Sequence, residues 1–354
     1  MRIDRQQAFS GTTDADIPVA ALQDYLAQHI AGFEGPLAAQ RFKGGQSNPT
    51  YKLTTPSRAY VLRRKPFGKL LPSAHAIERE YRVTEALARA GFPVARPLHL
   101  CTDETIIGAA FYVMNHADGR VFWEPHAPGL PEQHRAELFS SLNETITKLH
   151  GFDPSSLGLA DFGKPQGYVA RQVKRWSEQY RASETGAIPE MDHLIAWLPG
   201  VCPKDSGAAI VHGDFRLDNC IIHPTEPRII AVLDWELSTI GDPLADFTYH
   251  LMQWFMPVSE SGAGVGSLLG HEHDPGVPTV EDYIADYCRR SGRDGIANLD
   301  VYMAYNFFRL AAILQGILGR VRDGTAANAD AAAMARQVRP LAETAWAFAL
   351  KAGA

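Results

Sequence analysis

The chain has 354 residues, room for one large domain or two of ordinary size. Its 45% hydrophobic and 21% charged residues sit near globular averages and exclude disorder and fibrous repeats. A formal charge of −6 leaves no global basic field for nucleic acid or an anionic membrane.

The opening Met1-Arg2-Ile3-Asp4-Arg5 lacks the apolar stretch of a secretory signal. Short β-like runs follow at 40–43 and 50–54 around a Gly-Gly turn, and at 59–64 after Pro56-Ser57. Pro72-Ser73 opens a helix in which Ile77, Tyr81, Thr84 and Leu87 recur at helical spacing, closed by Gly91 and Pro93. Two more strands are predicted at 98–101 and 111–115, and Asp118-Gly119 breaks the pattern. This order describes a small sheet with one main helix packed on it.

Past Gly119 the pattern turns helical. Residues 131–150 place Leu138, Leu142, Ile146 and Leu149 on one face. Residues 168–183, 302–321 and an alanine-rich 326–351 read as further helices. One hairpin interrupts them, 220–223 and 228–234, turned through Pro224-Thr225-Glu226-Pro227. Residues 262–278, glycine-rich and without period, predict a long mobile loop. The lobe boundary falls near 117–120, so 1–117 form a β-rich lobe and 118–354 a helical one. No apolar run approaches the ~18–20 residues of a membrane helix. Cys101, Cys202, Cys220 and Cys288 stand far apart with no C-x-x-C, which argues against a zinc site and a disulfide framework. The expectation is a soluble cytoplasmic protein with no nucleic-acid or membrane partner; its oligomeric state is not legible.

The strongest chemical signal is Val211-His212-Gly213-Asp214-Phe215-Arg216-Leu217-Asp218-Asn219, followed by Leu233-Asp234-Trp235-Glu236. Phosphoryl transfer from ATP needs a carboxylate to orient an acceptor hydroxyl and take its proton. It also needs hard oxygen ligands that hold Mg²⁺ against the phosphates. Asp214 and Asn219, five apart on one loop, can face one cleft, and Asp234 at the end of the next hairpin can close the metal site. Each alone would be turn chemistry; the three in order are a constellation.

On these residues the chain resembles the aminoglycoside phosphotransferase and choline kinase family, relatives of the protein kinases. The resemblance implies an α+β, bilobal, protein-kinase-like fold with ATP between the lobes. The expected acceptor is a small-molecule hydroxyl, since no A-P-E-like segment follows Asp234. It implies Asp214 as the base, Asn219 and Asp234 as Mg²⁺ ligands, and Arg216 as a cation facing the transferred phosphate; a surface pairing of Arg216 with Asp218 or Asp242 is the alternative. Gly44, Gly45, Gln46, Ser47 and Asn48 join two β runs and suit a phosphate-covering loop. Tyr60-Val61-Leu62-Arg63 takes the place of the kinase Val-Ala-Ile-Lys, with Val61 over adenine, Arg63 towards the phosphates and Glu80 as its partner. A one-residue slip would put Arg64 there instead. Met114 is expected behind adenine, with the Asn115 carbonyl and Ala117 amide on the base edge. Asp242 and Asp246 read as helix-opening and loop-bracing carboxylates, and His212 as a structural hydrogen-bonder. His271-Glu272-His273-Asp274 reads as exposed polar loop rather than a metal site.

Within that family the chain is closer to a group found alone in bacteria and as the N-terminal region of some acyl-CoA dehydrogenases. The matching stretches are Gly44-Gly45-Gln46-Ser47-Asn48, Tyr60 to Arg64, Glu80-Tyr81-Arg82, and Gly167 to Tyr180. Dehydrogenase chemistry is not expected, because no room is left for a flavin domain. The acceptor readings are a hydroxyacyl-CoA or related hydroxy acid, an aminoglycoside, or none, in a nucleotide-binding pseudokinase. In 168–183, Arg171, Lys174 and Arg175 cluster on one helical face, suited to a CoA thioester's phosphates or to plain solvation. Residues 256–300 carry eight acids against three arginines, suited to a polycation or again to solvent.

Overall fold

The computed structural model describes residues 12–14, 16–42, 48–67, 76–258, 266–323 and 336–354. The expectations for Gly44, Gly45, Gln46 and Ser47, for Pro72-Ser73, for part of the 262–278 loop and for the alanine-rich 326–335 lie outside these residues.

Among the described residues, six strands form one antiparallel sheet in the order β1-β2-β3-β4-β6-β5. They are β1 (Thr12–Asp14), β2 (Ala38–Phe42), β3 (Thr50–Thr54), β4 (Ala59–Arg64), β5 (Pro97–Cys101) and β6 (Phe111–Asn115). Alternation sorts the side chains. Tyr60, Leu62, Phe111 and Val113 pack under Leu22 and Leu26 of α1 (Val19–His29) and Ile30 just after it. Val61, Tyr112 and Met114 face the other way, against Ile77 and Tyr81 of α2 (Ile77–Arg89). The sheet therefore carries two helices, not the single one expected. The sequence hides α1 because only Leu22 and Leu26 of its eleven residues are buried, too narrow a stripe to stand out.

The helical part contains α3 (Glu132–His150), α4 (Tyr168–Ser183), α5 (Pro189–Val201), α6 (Pro243–Leu251), α7 (Val280–Ser291), α8 (Leu299–Arg322) and α9 (Val338–Lys351). All share one large apolar core. Helix α8 lies at its centre, packed on α4, α6 and α9. It is long and apolar enough to cross a membrane, contrary to the sequence expectation, yet 83% of that stretch is buried inside the protein. It is a core helix.

Two small β pieces contribute to this core. Strand β7 (Ala209–Val211) pairs with β10 (Thr239–Gly241), and β8 (Cys220–Ile222) with β9 (Ile229–Val232). The second pair is stitched to the segments flanking the sheet: Val232 N donates to the Pro93 carbonyl at 2.8 Å, and Arg120 and Ile222 exchange backbone bonds at 2.8 Å. A Cβ at Gly119 would meet the Ile222 carbonyl at 2.4 Å, so this crossing admits only glycine.

Candidate active site

The loop from β7 to the 3-10 turn Leu217–Asn219 carries Asp214. Gly213 makes its bend with φ +83°, and a Cβ there would sit 3.0 Å from the Leu237 carbonyl. Asp246 of α6 braces the bend, accepting from the backbone N–H of His212 at 2.8 Å and of Gly213 at 2.7 Å. Burial works to raise the Asp246 pKa, but the His150 hydrogen bond and the neighbouring donors hold it below the ordinary value. His212 Nε2 bonds the Leu233 carbonyl at 2.8 Å, tying this loop to the second hairpin. Asp242 caps α6, accepting from Leu244 N at 2.9 Å.

The Asp214 carboxylate meets donors on both oxygens. Oδ1 accepts from Arg216 Nε at 2.9 Å and from the Tyr249 hydroxyl at 2.8 Å. Oδ2 lies 3.1 Å from Asn219 Nδ2 and 3.4 Å from Arg216 Nη2. Asn219 Nδ2 also donates to the Asp214 carbonyl at 2.8 Å, so both bonds use the amide nitrogen and the amide oxygen points elsewhere. Arg216 reaches Asp218 at 3.2 Å as well. Burial opposes its charge, but the two carboxylates outweigh that and hold its pKa above the ordinary value.

Asp234, two residues beyond β9, is in the left-handed region, φ +63°, a conformation rare for a residue with a side chain. Leu233 N donates to the Asn219 carbonyl at 2.8 Å, which brings Asp234 alongside the first loop. From the sheet, Arg63 Nη2 donates to Asp234 Oδ1 at 3.0 Å, and its Nε forms an ion pair with Glu80 Oε2 at 3.2 Å. Glu80, on α2, accepts from Asn48 Nδ2 at 2.8 Å and from the Tyr112 hydroxyl at 3.2 Å. Burial pushes the Glu80 pKa up against the pull of Arg63.

The register question is thereby decided. Arg64 is on the opposite face, buried against Tyr51, bonded to Asp16 at 3.2 Å and stacked 3.6 Å above the Phe67 ring centroid. Asn48 differs from the phosphate-facing expectation: its side chain is buried and its amide nitrogen holds Glu80. Val61 and Met114 are register partners on the α2 face of the sheet. Asn115 and His116 line a cavity of about 470 Å³ with Lys52, Arg58, Ala59 and Asp118, at the end of β6 next to Ala117. Arg171 and Arg175 are not joined to this centre. Arg171 donates to the Lys164 carbonyl and Arg175 lies 5.1 Å over the Trp176 ring.

Two site residues escaped the sequence reading, Tyr249 on α6 and Arg309 on α8. Arg309 is buried, donates from Nη2 to the Gly213 carbonyl at 2.8 Å, and lies 5.0 Å from the Tyr249 ring centroid. The signal was present: one arginine in an apolar run, where a buried charge needs a partner.

The arrangement offers a carboxylate on a rigid loop, two hard oxygen groups beside it, and a cation reaching in from the sheet. The profile of the phosphotransferase enzyme family matches residues 38–299. Acyl-CoA dehydrogenase family member 10 of Mus musculus is 44% identical over 342 residues, 95% of this chain. The chain spans 32% of that relative's length. A crystal structure from Ralstonia eutropha, provisionally assigned as an aminoglycoside phosphotransferase, is 45% identical with TM-score 0.84, covering 95% of this chain and 99% of that one. The aminoglycoside phosphotransferase APH(4)-Ia, a thermostable mutant in complex with ADP and hygromycin B, shares the protein-kinase-like fold at 14% identity and TM-score 0.60, covering 93% and 98%.

Proposed function

Because the chain belongs to the phosphotransferase enzyme family, we propose that it is an ATP-dependent kinase acting on the hydroxyl of a small molecule, a hydroxyacyl-CoA or related hydroxy acid. The observation that carries the reading is the meeting of three separate elements. Arg63 of the sheet bonds Asp234, and the residue before Asp234 bonds Asn219, whose amide holds Asp214. A nucleotide's phosphates laid beside Arg63 would then end within reach of Asp214.

In this reading Asp214 orients the acceptor hydroxyl and accepts its proton, and Arg216 spreads charge developing on the phosphoryl oxygens. The Asn219 amide oxygen and the Asp234 carboxylate are hard donors that suit Mg²⁺, which when bound would neutralise phosphate charge. Arg63 faces the phosphates; Val61 and Met114 cover the base, and the Asn115 carbonyl and Ala117 amide meet its edge. The cavity beside Asn115 supports this placement. Gly44, Gly45, Gln46 and Ser47 are assigned to the phosphate loop on their sequence alone. ADP in the APH(4)-Ia complex supports nucleotide use on this fold.

The acyl-CoA acceptor is supported by the relative's name and by the exposed basic face of α4, where Arg171, Lys174 and Arg175 lie. Leu237, 42% exposed beside Gly213, adds apolar surface near Asp214. An aminoglycoside acceptor is the second reading, favoured by the name given to the Ralstonia eutropha protein. The test is ADP release from Mg·ATP with 3-, 4- and 5-hydroxyacyl-CoAs against kanamycin-type sugars. Turnover of a hydroxyacyl-CoA is expected, and Arg171→Glu with Arg175→Glu should raise the acceptor KM while leaving the ATP KM unchanged. Turnover of the sugars alone reverses the choice, and no turnover of any acceptor leaves a nucleotide-binding pseudokinase.

A further inference from the structure

We propose that Tyr249 and Arg309 are positioning residues that clamp Oδ1 of Asp214, so that Oδ2 is the oxygen presented to the acceptor hydroxyl. The inference rests on Asp214 being the base. A carboxylate offers about four acceptor sites, and a base must keep one exchangeable. The close donors, Tyr249 at 2.8 Å and Arg216 Nε at 2.9 Å, are both on Oδ1. The looser ones, at 3.1 and 3.4 Å, are both on Oδ2. An incoming hydroxyl therefore displaces a donor more easily at Oδ2 than at Oδ1.

Beside Arg216 of the loop itself, the clamp draws on the helical core. Every residue of α6 is buried, so the Tyr249 ring has a rigid base. Arg309 rises from the central helix α8 and holds two things at once, the Gly213 carbonyl immediately before Asp214 and the face of the Tyr249 ring. Its guanidinium is buried, so the pairing with the Gly213 carbonyl is held away from solvent. Burial, with the Asp214 carboxylate beside it, pushes the Tyr249 phenol far above its ordinary pKa, so it stays a donor at neutral pH.

The transfer then balances as follows. The acceptor O–H bond breaks and its proton passes to Asp214 Oδ2 as the acceptor oxygen bonds to the γ-phosphorus. The bond from that phosphorus to the β,γ-bridging oxygen breaks, and ADP leaves with the electron pair. Tyr249 keeps its own proton throughout.

The experiment compares wild type, Tyr249→Phe, the same position carrying 3-fluorotyrosine, Arg309→Met and Asp214→Asn. ADP release is measured with the hydroxyacyl-CoA panel and with water alone as acceptor, beside Mg·ADP affinity by calorimetry and thermal melting. Tyr249→Phe should lower kcat about ten-fold, the size of one hydrogen bond to a charged group, with the ATP KM, ADP affinity and melting temperature unchanged. The fluorotyrosine, which keeps the donor, should restore kcat. Arg309→Met should lower kcat in the same direction. A Tyr249→Phe kcat within two-fold of wild type, or losses of ADP affinity and melting temperature matching the loss of kcat, would overturn the proposal. If Asp214→Asn lowers release by about 10²–10⁴ while Tyr249→Phe stays within about two-fold of wild type, only the clamp fails; if Asp214→Asn is fully active, the base assignment fails with it.

Discussion

Arg63 and Asp234, 171 residues apart in the chain, meet at 3.0 Å and join the sheet to the second hairpin. The same guanidinium pairs with Glu80 at 3.2 Å and approaches Glu236 at 3.8 Å. Arginine suits this position for a geometric reason. Its fork addresses Glu80 through Nε and Asp234 through Nη2, whereas a lysine would offer one point charge. Burial opposes the Arg63 charge, but Glu80 and Asp234 prevail and hold its pKa above the ordinary value.

Removing that cation leaves Glu80, 2% exposed, as a buried carboxylate without its ion-pair partner. Arg63→Met should therefore destabilise the protein by about 3 kcal/mol. Arg63→Met with Glu80→Gln should recover most of it, because the stranded charge is gone. Urea unfolding of the wild type, both single variants and the double variant measures the coupling. Additive losses would mean that the pair contributes nothing as a pair.

Asp214→Asn should reduce phosphoryl transfer by about 10²–10⁴ while nucleotide affinity stays near wild type. The asparagine keeps the shape and one acceptor oxygen but cannot take the proton. ADP release and calorimetry on the same preparation separate the two effects, and full activity would remove Asp214 from the reaction.

Asp234→Ala should weaken Mg·ATP binding far more than adenosine binding. In the proposed reading the lost carboxylate serves the metal and phosphates, and Val61 and Met114 serve the base. Calorimetry with both ligands reads the difference, and equal losses would make Asp234 a structural residue.

Burial pushes His250 down to about 4, below its ordinary value of 6.5. It is held by the Phe215 carbonyl at 3.1 Å and the Tyr283 hydroxyl at 2.8 Å. Between these two values the unfolded chain binds a proton that the folded protein refuses. The stability from neutral His250 is thus complete above about 6.5, falls as pH drops through the window, and levels off below about 4. His250→Gln should shrink the stability lost between pH 6.5 and 4.5 by about 2 kcal/mol relative to wild type. Urea unfolding at the two pH values checks it, and an unchanged slope would place the acid sensitivity elsewhere.

Much of the architecture was legible locally. Strands β4 and β6 and helix α4 fall at the residues expected, because their turn residues and periodicities are strong within a short window. Helices α1, α5 and α7 and the β7–β10 pair were not identified, and of α6 only its opening at Asp242 was read. In α6 every residue is buried, so it shows no amphipathic period to read. The β7 and β10 strands are three residues each and acquire their meaning only by pairing across the chain. Among the site residues, Asp214, Asn219 and Asp234 were found because their spacing is chemical. Tyr249 and Arg309 were not, because each lies on a different helix far from the loop it touches.

The sequence by itself determined the order of chemical groups along the chain and which strand residues share a face, since alternation is a property of the backbone. It could not decide between Arg63 and Arg64, because a slip of one residue leaves the local pattern intact. The tertiary structure decided it. The α1 side of the sheet is closed by Asp16, Tyr51 and Phe67, which enclose Arg64, and only the opposite side opens towards Glu80 and Asp234. A buried guanidinium must end among carboxylates or ring faces, and the packing of the whole lobe determines which arginine finds which.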